Sequence, residues 1–256
     1  MPPKYKHPSI EEAACEFLFA PNLAAPDFDL TLPGKLQLKL EPDYAGPSRN
    51  QYRRLLQSPL AGPPGLAVSD ELFRVQLVSA DQRAIIGIGR DALTVSALRA
   101  YKGWQLFKPR IERALDAYCA VTSQRTTVRI GLRYINRLFI PADGGAINRF
   151  INGVWTRLEA NSLDDGSPIA GDLAAINSRH EFATADGFKI IVTLATLQPQ
   201  APGTKELLLD IDAVWDKSPV DGKDQIIAYV DKLHVCTGAV FESLITSDTR
   251  QLLDAN

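Results

Sequence analysis

Residues 129–141 read RIGLRYINRLFIP, one of the most apolar runs of the chain, with an arginine at every fourth position. The arginines are Arg129, Arg133 and Arg137. A spacing of four puts residues on one side of either a strand or a helix, so the residues between the arginines decide between the two. In a strand one face is almost wholly apolar, whereas in a helix the apolar residues spread around the whole circumference. The stretch therefore predicts a strand, which Pro141 ends.

A second strand with one charged face is predicted at residues 206–215, ELLLDIDAVW. Its charged face holds Leu208, Asp210 and Asp212. If both strands belong to one sheet, Arg133 or Arg137 meets one of these aspartates across neighbouring strands, where opposite charges contribute ~0.2–1 kcal/mol. The arginine face is then a paired layer that needs no ligand, which is the favoured interpretation. The alternative is an open face whose guanidinium groups receive phosphate or carboxylate.

The composition is that of a globular protein large enough to bury a substantial core. The chain has 256 residues, of which 45% are hydrophobic, and its net charge is -2, so no overall field attracts nucleic acid or an anionic membrane. Three widely spaced cysteines, an odd number, argue against a disulfide framework and are typical of a reducing compartment. No apolar run reaches ~18 residues, and glutamates interrupt the N-terminal one. We expect a cytoplasmic protein without membrane contact.

The first half of the chain interleaves short strands with helical patterns. Residues 13–19 alternate as a strand, residues 28–40 fit either a strand or a short helix, and residues 41–69 predict a flap or covering loop with a short helix around Tyr52 to Leu56. A meander follows at 72–78, 84–89 and 92–98. Aromatic and aliphatic residues at three- and four-residue steps then predict an amphipathic helix over 103–120.

The second half repeats this order of elements. A helical stripe runs from Ile147 to Leu158, and a tight turn at Asp186-Gly187 joins two strands. A long helix is predicted after Asp221-Gly222, with a kink at Gly238. The sequence thus predicts an α+β fold in which antiparallel meanders are covered on one side by three long helices. We expect a single domain, with two topologically similar halves, 1–141 and 142–256, as its variant.

Four segments together resemble a sporadically distributed family of uncharacterised bacterial proteins. They are YKHPSIEEAACEFLF at the start, YKGWQLFKPRIERALDAY leading into VRIGLRYINRLFIP, LLLDIDAVWD, and LHVCTGAVFESLIT near the end. The combination of Tyr101, Trp104, the GLRYIN segment, His234 and Phe241-Glu242 carries the likeness. The resemblance implies genes that travel with mobile elements or antiphage defence loci, and it supplies no catalytic residues.

Motifs for catalysis give weak signals. Asp210 and Asp212 resemble the paired carboxylates that hold a divalent metal in nucleotidyltransferases and nucleases, but the Gly-Ser turn that such enzymes need is missing upstream. His234 and Glu242 share one side of the last long helix and, with Asp231, form a candidate base-and-orienter arrangement; a histidine at a helix interface is the favoured reading. GIGRDA at 87–92 lacks the third glycine of a dinucleotide loop, so no cofactor is expected.

These observations favour a non-catalytic binding, sensor or accessory component. Its partner is expected to be acidic or phosphate-bearing, either a protein or a small ligand, and to dock on Arg129, Arg133 and Arg137. The first alternative is a metal-dependent phosphoryl-transfer enzyme or nuclease that uses Asp210 and Asp212. The second is a homo-oligomeric structural protein whose charged face is a self-interface.

Overall fold

A computed structural model describes residues 5–21, 29–57, 67–99, 101–123, 126–141, 147–156, 175–198 and 203–254. Its strands are β1 (Ile10–Phe19), β2 (Arg49–Gln57), β3 (Ala67–Val78), β4 (Ala84–Ile88), β5 (Ala92–Leu98), β6 (Thr126–Pro141), β7 (Asn177–Ala183), β8 (Lys189–Leu197), β9 (Thr204–Trp215) and β10 (Val220–Asp221). Its α-helices are α1 (Leu32–Leu40), α2 (Trp104–Thr122), α3 (Gly153–Thr156), α4 (Lys223–Leu244) and α5 (Ser247–Asp254).

The strands form an antiparallel sheet, and the fold is α+β as predicted. The strand order is β2-β3-β4-β5-β1-β6-β9-β8-β7, with β10 paired to β6. Within the groups β3-β4-β5 and β7-β8-β9, each strand pairs antiparallel with the strand that follows it in the sequence. The predicted strands at 13–19, 72–78, 84–89, 92–98, 129–141 and 206–215 are all present.

The chain divides into two compact units, each discontinuous in sequence. The meander unit comprises Ala14–Ile130 and Asp216–Ile227, and the hairpin unit comprises Met1–Ala13, Gly131–Trp215 and Ala228–Asn256. The boundaries fall inside β1, β6 and α4. The halves 1–141 and 142–256 stay a prediction.

The core of the meander unit lies between the strands and α2. Phe107, Ile111 and Leu115 are buried on one side of α2, as its periodicity predicts. The ring of Tyr118, also on that side, stacks on Phe19 of β1 with centroids 4.6 Å apart. This contact fixes the helix against the face of β1 that alternation makes apolar.

Helix α1 settles the ambiguity at residues 28–40. Pro33 lies in its first turn, where the missing N–H costs no hydrogen bond. Leu36 and Leu40 are buried, whereas Leu38 is exposed. A strand would have placed all three leucines on one face, so the burial pattern is that of a helix.

The core of the hairpin unit lies between β6, β8, β9 and the part of α4 that belongs to this unit. Val192 and Leu194 of β8 and Ile211 of β9 are fully or almost fully buried, as are Val230 and Leu233 of α4. The long helix begins directly after Asp221-Gly222, as predicted. It continues through Gly238 from Lys223 to Leu244, so a glycine at this position does not interrupt the helix.

Two sequence predictions are wrong. The stripe from Ile147 to Leu158 is not one helix: a 3-10 turn at Ile147–Arg149 is followed by an isolated bridge between Ile151 and Ile245, and then by α3. Asn152 explains the break, because its backbone N–H donates to the carbonyl of Leu244 (2.7 Å) instead of continuing a helix. Leu158 lies outside the described residues.

The second error concerns residues 41–69. The short helix predicted around Tyr52 to Leu56 is part of β2, which pairs antiparallel with β3. Local sequence cannot show this pairing, because its hydrogen bonds go to residues 67–76. Residues 58–66 lie outside the described part. Among the described residues, none of the helices is long and apolar enough to cross a membrane.

Candidate binding surface

The apolar face of β6 is buried as predicted. Its buried members in the hairpin unit are Leu132, Tyr134, Asn136, Leu138 and Ile140. The amide of Asn136 is satisfied inside this face, because its Nδ2 donates to the carbonyl of Leu209 (3.3 Å) and its Oδ1 accepts from Ser9 Oγ (3.1 Å). The arginines therefore project from the opposite face of the strand.

Arg133 is held by Asp210 of the neighbouring strand β9. Its Nε donates to Oδ1 (2.7 Å) and its Nη2 donates to Oδ2 (2.5 Å), so the guanidinium and the carboxylate meet as two parallel forks. This hydrogen bonding raises the pKa of the Arg133 guanidinium, and the negative charges of Asp210, Asp212 and Glu12 raise it further. The cross-strand partner predicted from the sequence is therefore present.

Arg137 pairs with Glu206, a partner that the sequence interpretation missed. Arg137 Nε donates to Glu206 Oε2 at 2.8 Å, and Nη2 donates to the same oxygen. Arg137 lies four residues after Arg133 in β6, and Glu206 lies four residues before Asp210 in β9. This is the relation expected between antiparallel neighbours. The same alternation that assigns Asp210 and Asp212 to one face also assigns Glu206 to it, so the signal was available.

Arg129 pairs with Glu16 of β1, within the meander unit. Glu16 also accepts a hydrogen bond from Arg74 of β3, whose Nη2 lies 3.3 Å from its Oε2. Two guanidinium groups thus share one carboxylate. Glu16 was also missed, although alternation places it opposite the buried face that contains Cys15 and Phe17.

The two ion pairs of the hairpin unit differ in exposure. The Arg133 side chain is 49% exposed, whereas that of Arg137 is 13% exposed and the Glu206 side chain is fully buried. Phe139 follows on the same face of β6 and is 52% exposed. Its ring centroid lies 5.3 Å from Cζ of Arg137. The accessible part of this surface therefore centres on Arg133 and Phe139.

Asp210 and Asp212 have no third histidine, cysteine, aspartate or glutamate among the described residues that would complete a metal-binding group. Within the described ranges, no group of three or more histidine, cysteine, aspartate or glutamate residues is placed to hold a metal ion. The residues of β8 that lie opposite Asp210 and Asp212 are Thr193 and Ile191, and neither has a carboxylate. Both oxygens of Asp210 accept hydrogen bonds from Arg133.

His234 contacts Tyr134 rather than Glu242. Its Nδ1 lies 3.1 Å from the Tyr134 hydroxyl, and burial lowers the pKa of the imidazole from 6.5 to about 4, although the negative charge of Asp231 acts in the opposite direction. The Glu242 carboxylate accepts from Tyr5 at Oε1 (2.7 Å) and from Arg250 at Oε2 (3.1 Å). Both oxygens of Glu242 are thus used by other groups, so Glu242 does not orient His234 as a catalytic base.

The comparisons with known proteins leave the family open. No protein-family model matches the chain, and no curated protein matches it either. The resemblance to a sporadically distributed bacterial family therefore stays a prediction.

Proposed function

We propose that the protein is a non-catalytic binding component, and that an acidic segment of a protein partner docks on the charged sheet face of the hairpin unit. Arg133 carries this proposal, because its guanidinium is fixed in place by Asp210 while about half of its side chain stays exposed. A fixed arginine is a suitable anchor, since little side-chain freedom is lost when a partner binds.

The guanidinium of Arg133 has donors left with which to bind a second carboxylate. A guanidinium has five N–H donors in a fixed fork. The two hydrogen bonds to Asp210 use Nε and one N–H of Nη2. The remaining donors suit a partner's aspartate or glutamate, which would bind while the bond to Asp210 is kept.

Phe139 provides an apolar contact on the same face of β6, six residues or about 20 Å beyond Arg133. Arginine and aromatic residues are enriched among the residues that dominate protein interfaces. Phe139 is more than half exposed and lies against Arg137, which is itself held by Glu206. Together, Arg133 and Phe139 fit an extended protein segment that offers a carboxylate and, about 20 Å away, an apolar side chain.

The charges around Arg133 favour a protein carboxylate over a phosphate. Asp210, Asp212 and Glu12 all act on the Arg133 guanidinium. A doubly charged phosphate would meet more repulsion from these three carboxylates than a singly charged side chain would. An acidic protein segment is thus the better match of the two anionic partners considered.

The burial of the two ion pairs determines which arginine can be substituted to test this function. Arg133→Glu reverses the charge of the exposed anchor, whereas Arg137→Glu would place a carboxylate against the buried Glu206 and unfold the strand pair. Proteins that cross-link to a chain carrying a photoreactive phenylalanine analogue in place of Phe139 are identified by mass spectrometry, purified and titrated against the wild-type chain. We expect Arg133→Glu to weaken the binding of the purified partner at least about tenfold.

The matched control is Arg90→Glu. Arg90 is also half-exposed and also pairs with a largely shielded aspartate, Asp91, but it lies in the meander unit. Its reversal should leave the affinity unchanged. The function is rejected if Arg133→Glu, folded and as stable as the control, binds every purified partner as tightly as the wild type does. Membership of a defence module, which the family resemblance implies, stays a prediction.

A further inference from the structure

Strand β7 ends the strand order of the sheet and is unusually open. Among the described strands it pairs only with β8, through a regular antiparallel register. All seven of its residues are exposed or half-exposed. A strand of this kind presents backbone N–H and C=O groups along its outer edge, which is a template for pairing with another strand.

The side chains of β7 are arranged symmetrically about its central residue, His180. Arg179 and Glu181, which precede and follow His180, lie on one face of the strand and are both exposed. Arg179 Nη1 lies 3.3 Å from Glu181 Oε2. The other face carries His180 and Phe182, whose rings stack with centroids 6.2 Å apart. Trp155 of α3 approaches both rings edge-on, 5.4 Å from Phe182 and 6.0 Å from His180. An exposed aromatic group thus borders the open edge.

We propose that β7 pairs with β7 of a second copy of this chain, antiparallel and centred on His180. A two-fold axis perpendicular to the sheet then places Arg179 opposite Glu181 of the other copy, and Glu181 opposite its Arg179. The weak contact between the two residues within one strand is replaced by two cross-strand ion pairs. On the other face, His180 meets its own copy and Phe182 meets Ser178.

Charge selects this register over its neighbours. Side chains alternate between the two faces of a strand with a period of two. The two copies therefore keep the same faces together only when one residue lies opposite its own copy at the two-fold axis. Centring on Arg179 places two arginines opposite each other, and centring on Glu181 places two glutamates opposite each other. The register centred on His180 is thus the central one in which unlike charges meet, and the same charges oppose unspecific edge pairing.

The wild-type mass in solution is the first test. A pair of seven-residue strands buries less surface than a standard interface, so we expect a weak dimer. Sedimentation equilibrium should show the mass rising from the 28.1 kDa of one chain towards twice that value between micromolar and millimolar concentrations. A mass of one chain throughout this range overturns the proposal.

Charge exchange is the second test, and it identifies the surface. Arg179→Glu alone and Glu181→Arg alone should each weaken self-association about tenfold or more, because like charges then face each other twice. Mixing the two variants should restore association, since each glutamate again meets an arginine. The double variant Arg179→Glu/Glu181→Arg should also restore it within one chain. All these residues are exposed, so the fold is not at risk.

Control variants separate this edge from other surfaces. Arg90→Glu changes the charge of the chain by the same amount as Arg179→Glu and should leave the dimer unchanged. Arg133→Glu should also leave it unchanged, so the proposed partner surface and the β7 edge fail or succeed independently. If the wild type dimerises but the single variants at 179 and 181 dimerise equally well, another surface makes the dimer and the proposal is wrong.

A cysteine at the symmetry axis reports the register directly. Residues directly opposite each other in an antiparallel pair have Cα atoms about 4.5–5.5 Å apart, within the range for a disulfide. Under mild oxidation His180→Cys should form a covalent dimer, whereas Ser178→Cys should not, because residue 178 faces Phe182 of the other copy. The three native cysteines, none in β7, are present equally in both variants. Equal cross-linking of both variants contradicts the register.

Discussion

Arg133–Asp210 and Arg137–Glu206 are both arginine–carboxylate pairs between the same two strands, four residues apart, yet they differ in burial. The Arg137 side chain is 13% exposed and its carboxylate is fully buried, whereas the Arg133 side chain is 49% exposed. The Asp210 side chain is itself 13% exposed, so water reaches this pair mainly at the arginine, whereas Glu206 is fully buried. Removing the arginine costs more where the carboxylate is fully buried than where water can still solvate it. The buried pair therefore maintains the fold, while the exposed pair is available for binding.

Arg137→Leu should have the largest effect, because it removes the arginine that pairs with the fully buried Glu206. We expect the free energy of unfolding to fall by roughly 3 kcal/mol or more, as measured by urea denaturation. The double variant Arg137→Leu/Glu206→Leu should recover much of this loss, since it removes the buried carboxylate as well. If Arg137→Leu costs no more than the corresponding change at Arg133, the distinction between the two pairs fails.

Arg129→Leu should have an intermediate effect and so refine the relation between burial and cost. Its side chain is 27% exposed, between those of Arg137 and Arg133, and Glu16 keeps a second cation in Arg74. We expect a loss of about 1–2 kcal/mol in the same denaturation experiment. A loss as large as that of Arg137→Leu would show that Arg74 does not compensate.

On the apolar side of β6, the contact between Tyr134 and His234 makes the stability of the protein depend on pH. Because burial lowers the pKa of His234 from 6.5 to about 4, the folded protein binds fewer protons than the unfolded chain between these values. Stability is therefore fully present above pH 6.5 and falls as the pH is lowered towards 4. We expect a loss of about 1–2 kcal/mol, less than the full pKa difference would give, because the ring is only partly buried.

Variants at this contact identify the titrating group. In His234→Asn the free energy of unfolding should lose this part of its dependence between pH 6.5 and 4, while the dependence due to carboxylates remains. Tyr134→Phe removes the hydroxyl that lies 3.1 Å from the imidazole but keeps the ring in the core. An unchanged pH profile in His234→Asn would assign the effect to another residue.

Arg133→Leu should have the smallest effect on stability. Exposed ion pairs contribute ~1 kcal/mol or less. Because Asp210 is only 13% exposed but can still be reached by water, we expect a loss of about 1 kcal/mol in urea denaturation. Its effect on partner binding should exceed its effect on folding, the reverse of what is expected at Arg137. A destabilisation comparable to that of Arg137→Leu would show that the pair is structural and would remove the reason to place a binding surface there.

Alternation explains which predictions succeeded. The strands at 129–141 and 206–215 were predictable because more buried and less buried side chains alternate along residues 132–141 and 207–213. The single helix predicted from Ile147 to Leu158 is wrong because apolar residues three and four positions apart also fit a 3-10 turn followed by a separate short helix. The helix predicted around Tyr52 failed because the strand there is specified by its partner β3.

The sequence by itself determined that β6 is a strand with one buried face and its arginines on the other, and that the acids of β9 share one face of their own strand. The tertiary structure placed these two strands side by side. Only the tertiary structure decided which acid each arginine meets and how much water reaches each pair. Alternation assigns a residue to a face, but register and burial depend on residues far away in the chain. The energetic weight of an ion pair depends on that burial, so the difference between Arg133 and Arg137 belongs to the fold.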